Sequence, residues 1–158
     1  MAFLQVVLVI IVLALELGPL GRQGTETSIP SLTIITTWAF TWFADQKTGL
    51  RWAVLAGLLL DLTGFMPFGS WLAATVLSCL LTDFLKTRFF EVSSIPLALL
   101  ALAIVSLLSS LLLSLLAGSF DIFVIAGGVL MNVIGGLIVY YGLAFRFRFF
   151  QRWTGRRL

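Results

Sequence analysis

The sequence predicts an all-α membrane protein, six transmembrane helices packed as one bundle, and three observations carry that prediction. Hydrophobic residues make up 60% of the chain and charged residues 11%, whereas a soluble domain carries about 25% charged residues. The apolar residues fall into six runs separated by short polar or glycine-bearing connections. At roughly 20 residues per helical crossing, 158 residues leave room for six spans and no separate soluble domain, so residues 1–158 are one integral membrane domain. Finally, the Lys and Arg residues sort onto one side of those runs.

The first span covers residues 3–20, FLQVVLVIIVLALELGPL. A cleaved signal peptide is the rival reading, but no basic residue precedes the run and no A-x-A site follows it, which predicts retention. Glu16, beside Gly18 and Pro19, is expected at headgroup level. After the polar loop 21–28, span two runs over 29–43 with Pro30 in its first turn. Thr33, Thr37 and Thr41 repeat every four residues on one face. Their hydroxyls bond either across a helix interface or back to their own helix's carbonyls.

Spans three (50–66) and four (69–85) are joined by a Gly-x-x-Pro-x-Gly turn formed by Gly64, Pro67 and Gly69. Gly57, Asp61 and Gly64 stand at i, i+4 and i+7, so one helix face combines small residues with a lone carboxylate and is expected to meet a neighbouring backbone. Both spans are short for a bilayer of about 30 Å, so their turn is expected to dip below the membrane surface where protein buries its backbone. An unpaired charge at that depth is costly; Asp61 is expected to be protonated, hydrogen-bonded to another helix, or reached by water. Asp83, Lys86 and Arg88 close span four as solvated charge.

Span five (95–116) carries Ser106, Ser110 and Ser114 at four-residue steps, a packing stripe of small residues. Span six (122–143) repeats Gly128, Gly135 and Gly142 every seven residues with Asn132 and Gly136 beside them. This stripe allows close helix approach and buries one amide. Gly128 and Gly135 are expected to stay uncovered for a partner's helix. In the tail, 144–158, Arg146, Arg148, Arg152, Arg156 and Arg157 alternate with aromatic residues, which predicts an interfacial helix held by anionic lipid headgroups and no nucleic-acid partner.

One cysteine and no histidine remove disulfides, thiolate metal sites and imidazole bases. No catalytic residue, metal or cofactor is expected. The two carboxylates that an intramembrane aspartyl hydrolase would need could only be Asp61 and Asp121, which would have to meet and share a proton. Lys47, Arg51, Lys86, Arg88 and the five tail arginines lie on one side of the six spans, with only Arg22 on the other. The positive-inside rule then predicts a multi-pass protein with both termini in the cytoplasm.

The run Gly57-Leu58-Leu59-Leu60-Asp61-Leu62, the Pro67-x-Gly69 turn before a second apolar helix ending in basic residues, and Pro30-x-Leu32 at the head of span two resemble the rod shape-determining MreD family of bacteria. The likeness covers residues 28–90 by motif and the remainder by hydropathy. It departs from the family at Ser31, where many members carry an acidic or amide residue. The resemblance implies a non-enzymatic scaffold of the elongation complex in the bacterial inner membrane, binding MreC and other elongation-complex membrane proteins and supporting peptidoglycan synthesis. It also implies a six-helix fold similar to the substrate-binding S-components of energy-coupling vitamin transporters, which makes such a component the alternative function.

Overall fold

The computed structural model describes residues 11–12, 14–16, 31–63, 67–89, 95–118 and 120–154, with side chains described as far as residue 142. A short, buried helix stands at its centre. This helix, α1 (Leu32–Phe43), is followed by α2 (Gln46–Thr63), α3 (Ser70–Phe89), α4 (Ile95–Ala117) and α5 (Ile122–Thr154). Residues 11–12 and 14–16 are helical as well, and the described residues include no strand.

Several helices begin where the sequence supplies an acceptor for their first N–H groups. Ser31, in extended conformation, caps α1 through its hydroxyl. Asp45 caps α2, accepting from the Thr48 N–H at 3.1 Å, so that helix starts four residues before the sequence-based boundary. Asp121 takes the Phe123 N–H at 2.8 Å and its carbonyl accepts from Ile125, opening α5. At the other ends, Gly118 closes α4 with φ +67°, and Gly69 admits the chain to α3 with φ +94°. Only glycine adopts that left-handed region without strain.

The contacts fix the directions. Trp52 Nε1 donates to Thr36 Oγ1 at 3.0 Å, so α2 runs antiparallel beside α1. Ala53 and Asp61 of α2 meet Thr75 and Trp71 of α3, again antiparallel. Ser78 and Ser109 share a hydrogen bond of 2.7 Å between α3 and α4. Asn132 of α5 reaches Ser31 at the head of α1 and Ser106 on α4. Thus α1, α3 and α5 point one way, and α2 and α4 the other.

Apolar packing lies on both sides of α1. On one, Val12, Trp52, Ala56 and Leu60 form a cluster with Phe40 and Trp71; on the other, Trp38, Ala39 and Trp42 pack on Ala98, Ala101 and Leu102. The absent side chain of Gly136 makes room there for Leu102 and the Trp38 ring. Small and hydroxylated residues otherwise dominate the interior: Thr33, Thr37, Thr41, Thr75, Ser78, Thr82, Ser106 and Ser109 are buried, whereas Leu62, Phe68, Leu115, Phe120, Phe123, Leu130 and Ile138 are exposed.

Two expectations change. Six crossings were expected; two of the described helices, Ile95–Ala117 and Ile122–Gly142, are long and apolar enough to cross a membrane, and Leu32–Phe43 is a shorter apolar helix. The reasons are length and charge. α1 rises only about 18 Å against a hydrocarbon thickness of about 30 Å. α2 carries Lys47, Arg51 and Asp61, and α3 carries Asp83, Lys86 and Arg88. Most of residues 3–20 lie outside the described set. The second change is at the C-terminus. No break separates a span at 122–143 from an interfacial helix, because α5 runs unbroken through Arg146, Arg148 and Arg152 to Thr154. Nothing between Gly142 and Thr154 removes a backbone N–H, so the helix simply continues. Arg156 and Arg157 lie outside the described residues.

Candidate functional site

Two carboxylates close the end of the bundle at which α1, α3 and α5 begin. The first is Asp61, near the end of α2 and 6% exposed. Its Oδ1 accepts from the Trp71 N–H at 2.8 Å and its Oδ2 from the Leu72 N–H at 3.0 Å. Both donors lie in the first turn of α3, where N–H groups lack partners in their own helix and the helix dipole favours negative charge. Below it, an added Cβ on Gly57 would come within 2.7 Å of the Leu72 Cα and 2.5 Å of Thr75 Oγ1. The Thr75 hydroxyl lies 2.9 Å from the Ala53 carbonyl across that contact. The turn is completed by Pro67, whose carbonyl accepts from the Ser70 N–H at 3.1 Å and the Ser70 hydroxyl at 2.6 Å, and by Gly69. Gly57, Asp61, Pro67 and Gly69 are therefore brought together; Gly64 lies outside the described residues.

The second carboxylate is Glu16. It reaches the head of α1. Its Oε1 accepts from the Ser31 hydroxyl at 2.9 Å, and its Oε2 from the Thr33 N–H at 3.0 Å and the Thr33 hydroxyl. The Ser31 N–H in turn donates to Asn132 Oδ1 at 2.7 Å, and Asn132 Nδ2 donates to Ser106 Oγ at 2.5 Å. This chain of bonds joins the N-terminal helical stretch, α1, α5 and α4. Within such a network each bond polarises the next, and loss of one member leaves buried groups unpaired.

At the opposite end of α1, Lys86 Nζ donates to the carbonyls of Trp42 at 2.7 Å and Thr41 at 3.3 Å. An ammonium there satisfies carbonyls that the helix itself cannot, and it complements the negative end of the dipole. Lys86 is therefore a helix clamp rather than the purely solvated charge expected. The threonine row does both things expected of it in turn: Thr37 and Thr41 bond back to the Thr33 and Thr37 carbonyls, while Thr33 reaches Glu16 and Thr41 reaches Cys79 Sγ at 3.4 Å. On α4 the polar contacts fall on Ser106 and Ser109, with Ser110 and Ser114 only partly buried.

The glycine stripe on α5 divides. An added Cβ on Gly135 would lie 2.7 Å from Ile35 Cδ1, so Gly135 faces α1 and is not left open as expected. Gly128 and Gly142 meet nothing within 4 Å. The α1–α5 contact runs from Ser31 with Asn132, which is buried, through Ile35 with Gly135 and Trp38 with Gly136 to the Phe43 and Tyr140 rings, 5.3 Å apart; Gly128 and Gly142 fall before and after it. Arg146, Arg148 and Arg152 extend along the same helix.

The chemistry available to these groups is that of capping. Asp61 and Asp121 serve different helices, α3 and α5, and each accepts backbone N–H groups; they do not form a proton-sharing pair with one another. The described residues hold no cluster of His, Cys, Asp and Glu suited to a metal ion. Sequence reading overlooked Glu16, Ser31, Ser109 and Lys86 as contact residues. Only Ser31 had a local signal, a hydroxyl residue immediately before an apolar run. In comparisons with known proteins, the chain matches no family model, no curated protein and no solved structure.

Proposed function

We propose that this chain is a six-span, multi-pass protein of the bacterial inner membrane with both termini in the cytoplasm, and that it is a non-enzymatic scaffold that holds the membrane helix of a partner. The observation that carries the membrane reading is the apolar exterior around an interior that mixes polar with apolar side chains. Hydroxyls, an amide and a carboxylate are buried, while large apolar residues cover the outside. In water so much exposed apolar surface is unfavourable, whereas in lipid small and hydroxylated residues are the ones that let helices approach. Six crossings follow when the short α1 and the charged α2 and α3 are shielded by protein and by their caps. The orientation rests on Lys47, Arg51, Lys86, Arg88 and the tail arginines at one end, with anionic headgroups as their counter-ions.

Within that reading, the scaffold role of an MreD-like protein fits best, with MreC and other membrane proteins of the elongation complex as partners. Its support is the division of labour among the polar groups: Glu16, Asp61, Asp121 and Lys86 all act as helix caps. An added Cβ on Gly128 or Gly142 meanwhile meets nothing within 4 Å among the described residues. A vitamin-binding S-component would need convergent polar groups free to meet a ligand, whereas Ser31, Asn132 and Ser106 bond to one another. The test is capture of the tagged protein from native membranes. Recovery of MreC is expected; recovery of a transporter ATPase module together with tight vitamin binding would replace this reading by the alternative, and cleavage of a peptide substrate by the pure protein would end the non-enzymatic one.

A further inference from the structure

The outer face of α5 runs on into its arginine-bearing end, which assigns it a partner of definite charge, an inference that deepens the scaffold reading above and rests on it. Among the numbered helices, α5 packs on α1 and α4 alone. Away from them, its exposed positions recur at Phe123, Ala126, Leu130, Ile134, Leu137 and Tyr141, in steps of three or four that stay on one helix face. Because α5 is unbroken to Thr154, the same stepping continues through Phe145 to Arg148 and Arg152. One face thus changes from apolar to basic along a single helix.

The apolar part of α5, Ile122–Gly142, rises about 30 Å, the thickness of the hydrocarbon, so little of it is left over on either side. Beyond Gly142 the helix reaches Arg146 after about 6 Å, Arg148 after about 9 Å and Arg152 after about 15 Å. A headgroup layer is about 5–8 Å deep, so position 146 stands among phosphates while positions 148 and 152 stand beyond them. Interleaved with these arginines come Phe147, Phe149 and Phe150, and Trp153 follows. Charge alone could be left to water, but a helix this aromatic standing clear of the lipid calls for a protein cover. A second copy of this chain does not supply it. No acidic residue follows Asp121, so two α5 helices side by side in one orientation would set arginine against arginine.

We propose that the outer face of α5 receives one membrane helix of a different protein, which runs on past the membrane surface as a helix carrying Asp or Glu at the level of Arg148 and Arg152. Within the bilayer this face offers only apolar contact, so discrimination among helices falls to the charged continuation, which also fixes the register.

The test places a photo-crosslinking residue at Ile134 of the tagged full chain in its native membrane, with Leu55 of α2 and Leu107 of α4 as exposed positions on other helices. Expected from Ile134 is an adduct with another membrane protein whose crosslinked helix is followed, on the side of the arginines, by acidic residues. Arg148→Glu with Arg152→Glu should lower the adduct yield per inserted chain about tenfold or more, since like charges are brought together. Replacing the partner's acidic residues by Lys should restore it. Arg148→Gln with Arg152→Gln, which leaves Arg146, Arg156 and Arg157 to hold the orientation, should fall between. Lys47→Glu with Arg88→Glu makes the same charge change on α2 and α3 and should keep the parental yield. A yield that ignores the Arg148 and Arg152 reversal, or falls as far with the Lys47 and Arg88 pair, overturns the inference. So does an Ile134 adduct with lipid or a second copy alone. Protein adducts from Leu55 or Leu107 and none from Ile134 overturn this surface and leave the scaffold reading standing. No protein adduct at any of these positions removes the scaffold reading itself, and the α5 surface with it.

Discussion

The unit of construction at the smallest scale is a charged side chain set on the end of someone else's helix. Asp61 gives one oxygen to each of two N–H groups of α3, so the two substitutions at this position separate shape from charge. Asp61→Asn keeps one acceptor and loses about one of the two bonds, whereas Asp61→Leu strands both donors at about 1–3 kcal/mol each. Unfolding of the purified variants in detergent is expected to rank parent, Asn, Leu; equal stability of Leu and parent would show the cap to be dispensable. Asp45 gives a pH-dependent counterpart outside the spans. Its carboxyl is held below the ordinary aspartate value chiefly by the Thr48 hydroxyl, then by the Thr48 N–H. Because the folded state prefers the ionised form, the cap is fully present above the unfolded value of about 3.9 and is lost as pH falls through the lower folded value. The difference in unfolding midpoint between parent and Asp45→Ala is therefore expected at neutral pH and should shrink below about pH 4.

Helix pairs come next, and here glycines that look alike in sequence behave differently. Gly57→Ala places a methyl group against the Leu72 backbone and Thr75 Oγ1. Since backbone cannot move aside as a flexible side chain can, α2 and α3 must separate, which breaks the Thr75 contact to Ala53 and loosens the Asp61 cap. A loss of about 2 kcal/mol or more is expected, well beyond the gain of up to about 1 kcal/mol from helix propensity. Gly128→Ala, with nothing within 4 Å, is expected to cost nothing in the same unfolding assay. The α2–α3 contact was legible in sequence because its parts are close together: Gly57, Asp61, Pro67 and Gly69 fall within one hairpin. Glu16 was not, since its partners Ser31 and Thr33 stand 15 and 17 positions further along the chain and its position at the end of an apolar run suits headgroups equally well. The course of α5 was also hidden. A change in composition at residue 144 suggested a boundary, but composition marks where a membrane surface falls and not where a helix ends.

On the scale of the whole molecule, α1 is the hub. It is too short to cross a bilayer alone, yet Glu16 and Ser31 hold its head, Lys86 holds its foot, and α2, α3, α4 and α5 all pack against it. The outer helices then present their remaining faces outward. This arrangement sorts the two conspicuous glycines of α5 into different roles and yields a paired test of the scaffold reading. Gly135→Leu drives a side chain into Ile35, so it should separate α5 from α1, pull Asn132 away from Ser31, and lower both stability and the amount of inserted protein. At Gly128, by contrast, an added Cβ meets nothing within 4 Å among the described residues. Gly128→Leu should leave insertion and unfolding unchanged while filling the space that a partner's helix needs, because close approach in lipid depends on small residues at the contact. Capture of MreC from membranes is accordingly expected to fall for Gly128→Leu at parental expression, and cells relying on that variant should lose rod shape. Undiminished capture by an inserted Gly128→Leu protein would remove the open face of α5 as the contact and move the search to the exposed faces of α2 and α4.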